Sequence, residues 1–366
     1  MDRLGYRECD FVLVTGDAYV DHPSFGAAVI ARVLEDEGFR IGIISQPDWN
    51  DPAALRRLGR PRLAFLVTSG NMDSMVNHYT AAGKLRHDDA YTPGGEHGRR
   101  PDRAVIVYTQ LAKKAYTGVP VILGGIEASL RSLSHYDYWS GKLRRSVLLD
   151  AKADLVISGM AERTIRQVAC RLDAGEPLES MRALRGVVYK ITGKELEASP
   201  EVFSQHFPAE MLPDYGEASG AAEVFAESFA RRMANADPYT GKALVEGYGG
   251  QTVVKNPPDF PLSEGELDAV YELPYSREPH PSYDRPIPAF DEVRFSLVSS
   301  RGCFGGCTFC ALTFHQGRIV QGRSHQSLLR EAHILTRRGD FKGYINDVGG
   351  PTANFRQPAC RKQAEN

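Results

Sequence analysis

Short runs of apolar, often β-branched residues alternate with amphipathic stretches along roughly the first 175 positions. The run Phe11-Val12-Leu13-Val14 has no polar position, as in a strand buried on both faces. Residues 25–37 place Phe25, Val29, Val33 and Leu34 near one helical face, and Gly38 stands where that helix should end. Strand-like runs recur at 41–44, 63–67, 105–108, 121–123 and 155–157, and a helical pattern covers 162–172. Continuous apolar strands between helices predict a doubly wound parallel-sheet α/β domain. Such sheets take ligands beyond the carboxyl ends of their strands. Those ends carry Thr15-Gly16-Asp17, Thr68-Ser69-Gly70-Asn71, Gly124-Gly125-Ile126-Glu127 and Ser158-Gly159-Met160-Ala161-Glu162. Taken alone, the glycines read first as turns. No G-x-G-x-x-G follows the first strand and no Walker phosphate loop occurs, which argues against an ordinary nicotinamide dehydrogenase or NTPase.

The pattern changes between about 190 and 290. Residues 217–236 read as an Ala- and Glu-rich helix. Prolines then concentrate between Pro257 and Pro288, where neither a central strand nor a long helix fits. This part reads as an extended connector lying across two domains. A second α/β pattern begins near Val293. Residues 295–298 alternate like a strand, and residues 327–338 carry Leu328, Ala332 and Leu335 at helical spacing. Tyr344-Ile345 reads as a second strand running into Asp347-Val348-Gly349-Gly350.

Length and composition narrow the class. A chain of 366 residues suits about two domains. At 42% hydrophobic and 25% charged it is neither disordered nor disulfide-stapled. The formal net charge of −2 gives no global basic field, so nucleic acid is not the expected partner. Arg99, Arg100 and Arg103 form one small basic group, read as a solvated loop. No stretch reaches the roughly 18 apolar residues of a membrane span, and residues 1–5 show no secretory signal. Six cysteines are too sparse for a disulfide framework, and three fall within eight residues. The chain therefore reads as cytoplasmic, where clustered cysteines bind metal or do redox work.

Those three lie in Arg301-Gly302-Cys303-Phe304-Gly305-Gly306-Cys307-Thr308-Phe309-Cys310, just after a predicted strand. The spacing is C-x3-C-x2-C. Three thiolates on a tight loop suit three irons of a [4Fe-4S] cluster, leaving the fourth iron open. Gly302, Gly305 and Gly306 let the loop curl around a body of that size. The alternatives are structural zinc, with His315 or Cys360 as fourth ligand at no familiar spacing, and three unrelated thiols.

C-x3-C-x2-C with an aromatic before the last cysteine resembles the signature of radical S-adenosylmethionine (radical SAM) enzymes. Over nearly the whole chain the sequence resembles the YgiQ-type radical SAM family. The carriers are residues 15–23, 124–128, Asn256-Pro257-Pro258, Tyr271-Glu272-Leu273-Pro274-Tyr275, His280-Pro281, Phe314-His315-Gln316-Gly317-Arg318 and residues 347–354. The resemblance implies that Cys303, Cys307 and Cys310 hold a [4Fe-4S] cluster whose open iron binds S-adenosyl-L-methionine. The pair would yield methionine and a 5′-deoxyadenosyl radical that abstracts hydrogen from a substrate. It places Phe309 near the adenine and Gly349-Gly350 near the methionine amino group, with Pro351 where an acidic residue is common. Partners implied are the substrate, left blank, and a reducing donor such as flavodoxin or ferredoxin.

The implied organisation is a cobalamin-binding-like α/β domain over 1–185, an irregular, partly helical, proline-rich connector over 186–290, and the first part of a partial (β/α)6 radical SAM barrel over 291–366. Base-off cobalamin sites have D-x-H-x-x-G. Asp21-His22-Pro23-Ser24-Phe25-Gly26 misses that spacing, so cobalamin is the lesser reading beside a docking domain that kept the fold. Few residues follow Cys310, so a C-terminally truncated and inactive chain is expected, with Cys360 either opening a further cysteine-rich stretch or a lone thiol. Rival classes are a noncatalytic iron–sulfur carrier or sensor and a cobalamin- or small-ligand-binding module.

Overall fold

A computed structural model describes residues 5–199 and 201–350. Pro351 and Cys360 lie outside the described residues.

The strands in chain order are β1 (Phe11–Thr15), β2 (Ile41–Ser45), β3 (Ala64–Thr68), β4 (Val121–Leu123), β5 (His135–Asp137), β6 (Lys142–Arg144), β7 (Leu155–Ile157), β8 (Val187–Thr192), β9 (Ala209–Met211), β10 (Ala243–Gly247) and β11 (Gln251–Lys255). All but the β5–β6 hairpin join one nine-stranded sheet in the order β2-β1-β3-β4-β7-β8-β11-β10-β9. From β2 to β7 every pairing is parallel. Every residue of β1 is buried, because both faces are covered. Val12, Val14, Phe65, Val67 and Leu123 share one core with the helix Ala104–Ala115. Phe11, Leu13, Leu66 and Ile122 share the other with helices Gly26–Asp36 and Glu162–Asp173. The alternation along each strand thus serves two cores, the doubly wound arrangement.

Beyond β7 the sheet departs from the purely parallel reading. β8 runs antiparallel to β7, β11 antiparallel to β8, and β10 antiparallel to β11, with β9 parallel to β10. Four strands thus come from 186–290, read above as irregular and partly helical. The prolines misled that reading, since their dense cluster begins only after β11, at Pro257. Gly249 and Gly250, both at positive φ, make the tight β10–β11 turn. The stretch 217–236 is two helices, Tyr215–Gly220 and Ala222–Ala234, rather than one.

Residues 105–108, read as a strand, belong instead to the helix Ala104–Ala115. Its first amides are held from afar, Ala104 N–H by Ser74 Oγ at 3.1 Å and Val105 N–H by Glu127 Oε1 at 3.3 Å. A short β-branched run cannot reveal such caps. Arg100 is no solvated surface arginine either. It is fully buried between Asp17 (2.9 Å) and Asp89 (3.0 Å). That triad fills the crevice between the carboxyl ends of β1 and β3, where the strand order reverses. A Cβ on Gly16 would stand 2.3 Å from the Ser69 carbonyl oxygen, so β1 and β3 ends close directly on each other.

The proline-rich segment carries the helix Glu264–Tyr271 and straps the β1 end. His280 N–H donates to Tyr19 O and Ser276 N–H to Asp21 Oδ2. A second unit follows. β12 (Ser296–Val298) pairs in parallel with β15 (Asp347–Gly349), and β13 (Ser300–Arg301) antiparallel with β14 (Gln321–Gly322). Its helix His325–Thr336 packs Leu328 and Leu335 on Leu297. The second strand falls at 347–349 rather than at Tyr344-Ile345, because Asp347, Val348 and Gly349 are the residues in register with Ser296, Leu297 and Val298.

Candidate functional site

The cysteine loop leaves β13 from a buried anchor. Arg301 is ion-paired with Glu162, its Nε donates to the Tyr271 hydroxyl at 3.1 Å, and its guanidinium lies 5.0 Å from the Tyr271 ring centre. Glu162 opens the helix after β7. A buried arginine survives only with such partners, so this pairing seats the loop against the carboxyl end of the parallel sheet. Arg323 does the same for β14, pairing with Glu331, which also holds Arg277 at 2.7 Å.

Gly302 follows at φ +83°, and a Cβ there would stand 2.3 Å from the Ile319 carbonyl oxygen. Only glycine fits that close approach. Gly302 N–H donates to Gln316 Oε1 at 3.0 Å and Cys303 N–H to Gly317 O at 3.2 Å. The Cys303 thiol is buried and accepts the Gly305 N–H at 3.3 Å. A Cβ on Gly305 would stand 3.2 Å from Cys303 Sγ and 3.9 Å from Cys307 Sγ, so two sulfurs flank the space a side chain would take. Cys310 N–H donates to Cys307 O at 3.1 Å, a tight turn between the second and third cysteines. All three are free, Cys303 buried, Cys307 exposed and Cys310 half-buried.

A cluster attaches each thiolate to a different iron, so its ligands need not meet at one point. Among the described residues no three His, Cys, Asp or Glu side chains converge on a point that would hold one metal ion. Gly349 pairs with Val298 across the parallel strands, and its carbonyl accepts the Ser299 N–H at 2.7 Å. It therefore stands beside the strand that enters the cysteine loop, with Gly350 next in the chain. Phe309 is 91% exposed at the loop tip.

Behind the loop lies a cavity of about 480 Å³. Its walls are the segments after β4 and β7, Lys255 of β11, the helix Ala222–Ala234, and residues 313–319 that follow the cysteines. Phe229 and Phe314 meet across one end with ring centres 5.8 Å apart. The Ser129 hydroxyl donates to Gly125 O and accepts the Gly159 N–H, so at His315 it is Nδ1–H that donates, at 3.0 Å. Burial, aided by the Arg301 cation and opposed by Glu162, holds the His315 imidazole down at about 4. Lys255 Nζ donates to Ser132 Oγ at 3.0 Å. Burial and then the Arg232 cation bring its ammonium down to about 8.

The segment 21–26 does not fit a cobalamin ligand. His22 is buried, its ring wedged between Phe25 and Phe290, and its Nδ1 accepts the Ser24 N–H at 3.1 Å. A lower cobalt ligand needs an imidazole that faces open space.

Sequence reasoning missed Arg301 with Glu162, Tyr271, Lys255 and the cavity. Glu162 was visible as a polar residue at a strand end. Its partner 139 residues away was not.

Residues 1–296 match the family described as radical SAM N-terminal, and the chain belongs to that family. Among curated proteins it is 52% identical over 365 residues to a UPF0313 protein of Clostridium perfringens (strain 13 / Type A), covering 99% of this chain and 54% of that one. It is 53% identical over 356 residues to a UPF0313 protein of Clostridium botulinum (strain Okra / Type B1), covering 97% and 54%. The chain thus spans about half the length of the curated relatives it matches. Solved structures give the radical S-adenosylmethionine methyltransferase TsrM of Kitasatospora setae, with tryptophan and a SAM analogue bound, at 16% identity and TM-score 0.46, covering 90% of this chain and 46% of that one. The same enzyme with cobalamin and a [4Fe-4S] cluster matches at 16% identity and TM-score 0.45, covering 93% and 47%. Nothing about this chain rests on likenesses of that size. Among the described residues no helix is long and apolar enough to cross a membrane.

Proposed function

We propose that this chain carries the cofactor loop of a radical SAM enzyme, with Cys303, Cys307 and Cys310 ligating a [4Fe-4S] cluster and S-adenosylmethionine bound beside them. The observation that carries the reading is the glycine-lined loop leaving β13, in which Cys303 and Cys307 flank Gly305 and a tight turn joins Cys307 to Cys310. When bound and reduced, the pair supplies a 5′-deoxyadenosyl radical for hydrogen abstraction from a substrate.

The chain's own residues have defined tasks. Arg301, held by Glu162 and Tyr271, fixes where the loop starts. Gly302 lets it pass against Ile319. The Gly305 N–H donates to Cys303 Sγ and helps fix where that sulfur sits. The Gly349-Gly350 stretch at the end of the second parallel strand suits the methionine amino group, and Phe309 the adenine. The cavity that backs the loop suits the substrate. A reducing protein such as a flavodoxin or ferredoxin is the electron source in this reading.

A four-cysteine electron carrier or sensor finds less support. Among the described residues, Cys9 is buried two positions before β1, and Cys170 lies eight residues, about 12 Å, along its helix from Glu162. The test is anaerobic reconstitution of the chain and of a variant with all three loop cysteines changed to Ala. Iron and sulfide should bind the first and not the second. Equal loading of both overturns the assignment, and zinc recovered from anaerobic preparations favours the structural-metal alternative.

A further inference from the structure

We infer that the cavity behind the cysteine loop binds a small anion with a flat apolar body, its negative group on Lys255 and its body against the exposed faces of Phe229 and Phe314. This inference names the substrate class of the site proposed above and rests on that reading for its role as substrate. The occupancy itself rests only on the cavity.

The carboxylates lining the cavity are already committed, Glu162 to Arg301 and Asp259 to Arg163. Arg232 is likewise satisfied by Glu246 at 2.6 Å. Among the described residues Lys255 and Arg318 face the cavity without a carboxylate partner. Lys255 has one hydrogen bond, to the Ser132 hydroxyl, which a neutral amine would make as well. A half-buried ammonium on the cavity wall, with no carboxylate partner, is poorly balanced in the empty protein. A ligand anion would supply the missing charge. Carboxylates, sulfonates and phosphates share the needed chemistry, a negative oxygen accepting from Nζ.

Part of the lining is apolar. Phe229 is 43% and Phe314 37% exposed, unusual for aromatic side chains that touch one another, and Phe225 stands 6.5 Å from Phe229. About 480 Å³ suits a compound of this kind rather than a peptide or a nucleic acid. The segment 313–319 also lines the cavity, and its Gly317 carbonyl holds the Cys303 amide. A ligand in the cavity would thus touch the segment that holds the start of the cysteine loop.

The test uses the fluorescent aryl sulfonate 8-anilino-1-naphthalenesulfonate, titrated into the whole chain. Lys255→Met should weaken binding roughly tenfold, the size of one charge-assisted contact, while Lys255→Arg holds it within about threefold. Phe229→Ala should weaken it too. Circular dichroism checks that each variant folds. 3-Phenylpropanoate and phenyl phosphate compete in separate arms that tell a carboxylate preference from a phosphate one, and 3-phenylpropylammonium should not compete. Unchanged binding in Lys255→Met, or equal competition by the ammonium compound, overturns the inference. The triple cysteine variant should bind the probe normally. Loss of iron binding in the parent with probe binding intact would sink the cluster reading alone. An iron-loaded parent whose probe binding ignores Lys255 would sink this inference alone.

Discussion

Glu162→Ala should loosen the cysteine loop without touching it. Glu162 and Arg301 are 3% and 4% exposed, so removing the carboxylate leaves a guanidinium buried beside Tyr271 with no counter-charge. Breaking a buried pair from one side costs about 3–5 kcal/mol. Arg301 keeps its 3.1 Å bond to the Tyr271 hydroxyl and its stacking on that ring, which puts the loss at the lower end, ~3 kcal/mol. Glu162→Gln keeps an acceptor for Arg301 and should lose only ~1–2 kcal/mol. Changing both residues to Met removes both charges and should recover most of the loss. Cys303 gives the local readout. In a background with Cys307 and Cys310 changed to Ser, its buried thiol reacts with a maleimide only when the loop opens. A loss of ~3 kcal/mol raises the open population, and hence the rate, roughly a hundredfold. Urea unfolding followed by circular dichroism checks the stability change. The anchor account fails if Glu162→Ala costs under ~1 kcal/mol and leaves the Cys303 rate unchanged.

Three further outcomes follow from the same geometry. Gly302→Ala, which forces a Cβ to within 2.3 Å of the Ile319 carbonyl at a φ of +83°, should destabilise the loop by at least ~1–3 kcal/mol and lower iron retention. A normal iron content would contradict it. Phe309→Ala should change the unfolding midpoint by under ~0.5 kcal/mol, since the ring is 91% exposed, while weakening S-adenosylmethionine binding in the reconstituted protein. Aryl sulfonate binding should weaken as pH rises through about 8, where the Lys255 ammonium is lost. The stability contribution of Lys255 moves the other way. Its folded value lies below its ordinary 10.5, so the unfolded chain holds more protons between those values, and this contribution grows with pH there. Weaker binding at high pH is therefore not unfolding, and pH-independent binding would remove Lys255 from the site.

The parallel half of the fold was legible because a strand buried on both faces must be apolar throughout, as β1, β3 and β4 are. The helix Ala104–Ala115 was not, since its caps come from Ser74 and Glu127. The antiparallel extension was masked by the prolines that follow it, although Gly249-Gly250 marked its turn. Arg100 shows the same blindness in a charge. Beside Arg99 it reads as surface, yet Asp17 and Asp89 meet it from distant loops. At the site, the cysteine spacing and its glycines are local and could be read directly. Arg301–Glu162, Lys255–Ser132 and the cavity are pairings across long stretches of chain, and one sequence carries no record of those.

The most direct measurement is the EPR spectrum of the reduced, anaerobically reconstituted chain, taken with and without S-adenosylmethionine. The account predicts about four irons per chain and a spectrum that changes when the cofactor is added, because one iron lacks a cysteine and is free to bind it. A fully loaded cluster whose spectrum ignores S-adenosylmethionine would contradict it.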